Sequence, residues 1–327
     1  MLTIGPGLPA DFLRKDQPKI ILAPMEGVVD HVTREMLTGI GGVDLCVTEF
    51  IRVLDQSIPD HVFIRDAKEL LHGSKTVHGV PLLVQLLGAD PIRLGENAAR
   101  AIAIGAVGVD LNFGCPAKTV NRHDGGATLL KDPSRVEKAV RGVRDAVPLT
   151  HSVSAKTRLG FSDKNLHIEI AQAAEAGGAS WLTVHARTRD EGYRPPAHWE
   201  FIGRMREAVK IPVIANGDVW TPEDYRRMMK VSGCDHAMLG RGLLARPSLA
   251  LECKGLSEKW TWDDMRPHVL RFVKVSEEAR GPGFASARIK QWLKSLAMTY
   301  PEAQELFERV KRIETLSSEL FESHATC

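Results

Sequence analysis

"VDLNFGCPAKTVNRHDGGATLLKDP", running from Val109 to Pro133, is the stretch on which the reading of this chain turns. It opens as a buried strand and breaks at Gly114-Cys115-Pro116. After Gly125-Gly126 it becomes an apolar run that ends at Pro133. Proline is tolerated in a first helical turn, so a helix is predicted from Pro133 to Val147. Strand, loop and helix in that order make one βα unit, with a cysteine at the mouth of the strand.

The same unit recurs on both sides. Short Val-, Ile- and Leu-rich segments read as buried parallel strands at 19–25, 44–50, 81–88 and 108–114, then at 152–160, 181–187, 212–218 and 236–242. Helical patterns separate most of them, among them Pro91 to Ile104, Leu166 to Ala176 and Pro222 to Val231. Eight strands at roughly 30-residue spacing predict an α/β chain built as a TIM (β/α)8 barrel. An open doubly wound sheet would carry a glycine fingerprint after its first strand, and "APMEGV" has none. From about Gly255 the strand signal stops, and apolar residues recur at three and four, as in Ile289, Leu293 and Leu296. The predicted organisation is an N-terminal extension over 1–18, a barrel over 19–254 and a small all-helical domain over 255–327. The Gly- and Pro-rich extension reads as a loosely docked strand or a flexible tail.

Composition narrows the class. Of 327 residues, 43% are hydrophobic and 26% charged, the profile of an ordinary soluble protein. No run of about 18 apolar residues occurs, and the N-terminus lacks a basic start before an apolar core, so neither a membrane span nor a secretory signal is expected. Five scattered cysteines with no C-x-x-C pair argue against a disulfide framework and against a metal site. A cytoplasmic location is therefore expected. A formal net charge of +2 neither supports nor excludes a nucleic-acid partner.

In such a barrel the carboxyl ends of the strands converge on one pocket. Read in order, those ends carry Pro24-Met25-Glu26, Glu49, Gln85, Asn112, Lys156, His185, Asn216-Gly217-Asp218 and Gly240-Arg241-Gly242. Polar groups after buried runs cost free energy unless something pairs with them, so a large polar ligand is expected. "ANGD" and "LGRG" come after the seventh and eighth strands, where such barrels bind phosphate. Their glycines admit a close backbone approach, and Arg241 supplies a cation. This points to a phosphate monoester, as in FMN, or to a sugar phosphate.

The segments "LAPMEGVVD", "VQLLGADP", "VDLNFGCPAKTVNRHDGGATLLKDP", "SAKTRLGF", "VHARTRDEGY", "PVIANGDVW" and "MLGRGLLARP" together resemble the tRNA-dihydrouridine synthase family, in order and from about Lys19 to the C-terminus. "TEFIRVLDQ" and "ARIKQWL" are similar to its bacterial C-type branch, which acts on uridine 16 of the D-loop. The resemblance implies a flavoenzyme that takes electrons from NADPH (or NADH), delivers hydride from flavin N5 to C6 of a tRNA uridine, and protonates C5. It implies that Pro24, Met25 and Glu26 line the flavin, Gln85 bonds its ring and Lys156 stabilises negative charge there. His185, Asn216, Gly217, Asp218, Gly240 and Arg241 are implied for the ribityl chain and phosphate. Cys115 is the expected proton donor. A thiol of ordinary pKa, about 8.5, is protonated at neutral pH, as an acid must be. Lys156 nearby is expected to lower that value somewhat. Cys46, Cys234 and Cys253 read as core residues.

Asn112 is expected to orient the uracil or the flavin, and the loop around Lys118, Thr119, Asn121 and Gly125-Gly126 to close over the base. The uridine has to leave its stack to reach such a pocket. Arg52, Arg158, Arg288, Lys290 and Gln291 are the implied RNA contacts, while Trp292 adjoins the apolar stripe and is expected in the core. The expected partner is tRNA, with the protein a monomer. Two alternatives stand beside this reading: a flavin barrel reductase of a small pyrimidine or other metabolite, and a non-catalytic tRNA-binding protein.

Overall fold

The computed structural model describes residues 5–117 and 124–325. All eight predicted strand positions are present. They are β1 (Ile20–Leu22), β2 (Leu45–Val47) continued by a two-residue β3 (Ile51–Arg52), β4 (Leu82–Leu87), β5 (Gly108–Asn112), β6 (Ser152–Arg158), β7 (Trp181–His185), β8 (Val213–Asn216) and β9 (His236–Leu239). Every pairing between them is parallel. β1 pairs with both β2 and β9, and β2 with β4, so the sheet closes on itself and leaves no edge. This is the predicted (β/α)8 barrel. The second strand departs from expectation. Instead of running unbroken over 44–50, it stops after Val47. Thr48 turns its hydroxyl to accept from Gln85 N (2.9 Å), and the Glu49 carboxylate accepts from Val28 N (3.0 Å).

The helices begin where the sequence signals place them. Asp90 and Asp132 cap the helices Pro91–Ala103 and Pro133–Ala146, each with proline in its first turn. Thr221 and Asp224 form a reciprocal capping box on Pro222–Ser232. No helix among the described residues is long and apolar enough to cross a membrane.

Side chains in register share a face of the sheet, which explains how the barrel interior is layered. Its lower part is apolar, with Ile21, Leu45, Leu83, Ile214 and Met238 packed together. Against this cluster rest Leu8, Phe12 and Leu13 of the N-terminal segment. Of the two expectations for this segment, a loosely docked strand or a flexible tail, docking holds but without strand structure among its described residues: Gly5 O lies 3.0 Å from His151 Nε2, and a Cβ at Gly7 would sit 2.0 Å from Thr150 O. Removing residues 1–17 exposes this apolar surface and should cost about 3 kcal/mol, judged from three half-buried side chains. A urea denaturation midpoint that does not move would contradict that.

Beyond the barrel the described residues form four helices, Trp262–Arg280, Pro282–Leu296, Pro301–Val310 and Ser318–Ala325. They form their own apolar cluster around Phe272, Trp292, Leu293 and Leu296, and Val32, Met36 and Ile40 of the barrel helix His31–Ile40 belong to it. Trp292 is buried as expected. Its ring centroid lies 4.7 Å from that of Phe272, and its indole N–H donates to Leu244 O (3.1 Å).

Candidate active site

A cavity of about 570 Å³ opens at the carboxyl ends of the strands, within the size range of small-molecule and cofactor sites. Every residue expected to bind the cofactor lines it. Pro24, Met25 and Glu26 come from the end of β1, Gln85 from β4 and Lys156 from β6. His185 comes from β7, Asn216, Gly217 and Asp218 from β8, and Gly240 and Arg241 from β9. Asn112, Cys115, Arg158 and Gln291 line it as well. Tyr193, Trp220 and Phe50 also line it, and nothing in the sequence pattern singles them out.

The side of the cavity nearest the opening stretch is built on a line of hydrogen bonds. Asn112 Oδ1 accepts from the backbone N–H of Gly114 and Cys115 (2.9 Å each), and Asn112 Nδ2 donates to Gln85 Oε1 (2.8 Å). Gln85 Nε2 donates in turn to Asp110 Oδ2 (2.7 Å), whose other oxygen accepts from Ser154 Oγ (2.6 Å). Ala127 N donates to Cys115 O (3.3 Å), so both flanks of the cysteine are tied down. Gly126 has a φ of 61°, a left-handed turn that glycine adopts without strain. Lys118, Thr119 and Asn121 lie outside the described residues.

Cys115 is only 8% exposed. Burial pushes its thiol above the ordinary value. The backbone N–H of Ala117 counters this, Glu26 adds to it, and the nearby cations Arg158 and Arg52 oppose it. The thiol is therefore held as an acid. The expected influence of Lys156 is replaced by that of the two arginines. Cys46 is fully buried with its thiol pushed up to about 12, and Cys234 is also buried, both in keeping with core roles.

Lys156 is enclosed, and burial together with the Arg158 charge lowers its pKa to about 8 against the pull of Asp110. Its ammonium donates to Asn216 Oδ1 (3.2 Å), while Asn216 Nδ2 donates to Met238 O (2.7 Å). His185 is held neutral, first by burial and then by the charges of Arg158, Lys156, Arg187 and Arg241.

The far end of the cavity is a cradle. A Cβ at Gly217 would approach His185 to 3.2 Å on a backbone with φ of 133°, and one at Gly240 would lie 3.3 Å from both Ala23 Cβ and Met25 Sδ. Asp218 does not offer its carboxylate to a ligand. It holds Arg241 (3.1 Å) and the fully buried Arg187, and the Arg241 guanidinium lies 5.0 Å from the Tyr193 ring and 5.2 Å from Trp220. Arg187 was not foreseen, although it lies two residues beyond His185 in the quoted "VHARTRDEGY".

The expected RNA contacts separate. Arg158 is 2% exposed, and its guanidinium donates to Gly114 O (2.7 Å), Thr188 O (3.1 Å) and Gly192 O (2.9 Å). It braces the cysteine loop and faces the cavity. Arg288 reaches from the helical unit to the loop after β1, donating to Gly27 O (3.0 Å), Val28 O, Asp30 Oδ1 (3.2 Å) and Thr33 Oγ1 (2.7 Å). Lys290 donates to Ile313 O, and Gln291 Nε2 to Gly27 O (2.9 Å) at the cavity rim. An RNA phosphate at Arg288 or Lys290 has to compete with these partners. Arg52 lines a neighbouring cleft of about 700 Å³ that shares Glu26 and Phe50 with the first cavity.

A closed parallel barrel with a polar, cation-rich cavity at its strand ends defines a cofactor- or substrate-binding barrel of the enzyme type. Comparison with known proteins specifies it. Residues 21–325 match the family described as dihydrouridine synthase, and the chain belongs to that family. It is similar to "tRNA-dihydrouridine(16) synthase" of Pseudomonas putida, 49% identical over 299 residues that span 90% of this chain and 93% of that one. It is also similar to proteins of the same description from Aquipseudomonas alcaligenes (50%, spanning 90% and 95%) and Shewanella oneidensis (48%, spanning 91% and 94%).

Proposed function

We propose that this protein reduces the C5–C6 double bond of a tRNA D-loop uridine, position 16, to dihydrouridine, with FMN as cofactor and NADPH (or NADH) as electron source. The observation that carries the reading is the convergence, in one cavity, of a protonated thiol, a buried lysine and a cradle in which Gly217 and Gly240 admit a close approach. Family membership supports the reaction, and the names of the relatives support tRNA and position 16.

The donor set suits FMN. Gly217, Gly240 and Arg241 would hold the phosphate, with His185, Asn216 and the backbone of Asp218 along the ribityl chain. Pro24, Met25 and Glu26 would line the ring, and Gln85 and Lys156 would donate to its acceptor edge. Bound FMN supplies the hydride for C6 of the uracil; the protein's share is position and charge. Cys115 Sγ holds the proton destined for C5, and Asn112 fixes the loop that aims it. Arg158 braces Gly114 against Thr188 and Gly192 of the segment after β7. The helical unit over 255–327 acts as the second surface for the tRNA, with Gln291 at the rim and Arg52 in the adjoining cleft as contacts to the flipped nucleotide's neighbours.

Lys156 sets an alkaline limit. Its charge is lost as pH rises through about 8, so turnover should decline there with a single ionisation, before the Cys115 thiol deprotonates. Lys156→Arg keeps a cation that does not titrate in this range, and should move the limb upward to where Cys115 loses its proton. A limb unchanged in that variant would assign it elsewhere.

The test of the whole reading is to incubate the protein with FMN, NADPH and tRNA that lacks dihydrouridine, then map the modified base by position. Dihydrouridine at position 16 alone is the expected result. Another position would retain the chemistry and discard the site choice. No modification by protein that binds and reduces FMN would favour a small-molecule reductase.

A further inference from the structure

Asp110 is a carboxylate in the polar layer beneath the cavity floor, and the sequence hides it inside the apolar run "GVDLNFG". It is 1% exposed, and a charge so enclosed persists only with well-placed partners. In register it stands between Gln85 of β4 and Ser154 of β6. Its two oxygens accept from those two side chains, at 2.7 and 2.6 Å. Burial raises its pKa, but the hydrogen bonds from Ser154 and Gln85 and the charge of Lys156 act to keep it ionised. A carboxylate can only accept, and that fixes the orientation of the side chains beyond it. Gln85 must turn its amide nitrogen to Asp110 and its oxygen to Asn112 Nδ2. Asn112 must then turn its own oxygen to the N–H groups of Gly114 and Cys115.

We propose that Asp110 is a positioning residue that sets the polarity of this whole line, so that Gln85 faces the cavity as a hydrogen-bond donor and the Cys115 loop is held by Asn112. With its oxygen engaged, Gln85 has one amide hydrogen left for a ligand. Lys156, rooted in the same layer, is likewise donor-only. The ring that meets these two groups must present acceptors there and gains from negative charge on that edge. The inference rests on the flavin reading for its ligand end, and on the protein alone for its cysteine end.

Asp110→Asn keeps the shape and supplies a donor where only an acceptor stood. Gln85 is then free to invert, and its oxygen faces the cavity. FMN affinity, read by quenching of flavin fluorescence on titration into apoprotein, should fall about tenfold, the weight of one hydrogen bond. If Asp110 acts through Gln85, Gln85→Ala should fall similarly and Asp110→Asn added to it should cost nothing more. Ser154→Ala removes one hydrogen bond that keeps Asp110 ionised, so part of the population carries a protonated Asp110 able to donate to Gln85. This variant tests the same line should Asp110→Asn not fold. About threefold weaker binding is expected, again absent in the Gln85→Ala background. Full losses that simply add would overturn the proposal, as would unchanged affinity.

The cysteine end is read without flavin. Iodoacetamide labelling of Cys115 in apoprotein, tracked by peptide mass spectrometry, should run at least about fivefold faster in Asp110→Asn as the loop loosens. Labelling of Cys253 should not change. An unchanged Cys115 rate overturns the proposal even in a protein that binds no FMN, whereas faster labelling without any FMN binding by the wild type would uphold it and sink the flavin reading.

Discussion

Replacing Cys115 with alanine should lower turnover on tRNA by about 10²- to 10⁴-fold, the usual weight of a general acid, and should leave FMN affinity at the wild-type value. The separation comes from where the thiol stands. Cys115 packs with Leu87 beside Phe50 and Ala117, on the side of the cavity built from β4 and β5, whereas the glycine cradle lies after β8 and β9. Burial raises its pKa, which makes it a poor nucleophile and a dependable acid. A serine in its place puts a hydroxyl where the thiol stood, and a hydroxyl is a far weaker acid, so Cys115→Ser should recover little. Single-turnover mixing of reduced protein with tRNA, monitored by flavin absorbance, separates the steps. Full turnover by the alanine variant would remove Cys115 from the mechanism and turn attention to Glu26, the carboxylate whose charge acts on the thiol.

The sequence made the barrel legible because parallel strands buried on both faces read as apolar runs, and because Pro91, Pro133 and Pro222 mark helix starts that aspartate or threonine caps then secure. The strand-end polar residues were legible for the same reason: each interrupts a run that has to be buried. The hidden features depend on neighbours far apart in the chain. The break after Val47 looks like continuing strand until Gln85 N is seen to take the Thr48 hydroxyl. Leu8, Phe12 and Leu13 carry no periodic signal, and only the open lower end of the barrel gives them a place. Asp110 reads as an ordinary polar residue in a strand until β4 and β6 bring Gln85 and Ser154 to its two oxygens. Arginines mislead in the opposite sense. Their charge suggests surface and RNA, yet Arg158 and Arg187 are enclosed and hold backbone carbonyls and Asp218.

Arg288 carries that ambiguity to a measurable point. As a clasp, it joins the helical unit to the Gly27–Asp30 loop and the first turn of the helix His31–Ile40, which continue directly from the Pro24–Glu26 wall of the cavity. Only 10% of its side chain is exposed, and its ion pair with Asp30 (3.2 Å) is backed by two carbonyls and a hydroxyl. Arg288→Met then leaves these acceptors short of a donor and should cost about 3 kcal/mol, toward the low end for a broken buried pair because Asp30 still caps its helix through Thr33 N (3.0 Å). Hydrogen exchange should quicken at residues 27–33 and in the helix Pro282–Leu296. As a phosphate contact, the same residue would leave stability unchanged, and its loss would lower the slope of log affinity against log salt by about 1. The geometry favours the clasp, so the expected result is a lowered urea midpoint with an unchanged salt slope for tRNA. A flattened slope at full stability would instead mean that tRNA draws Arg288 away from the loop. Docking on the helical unit would then release the wall of the cavity where the uridine has to enter.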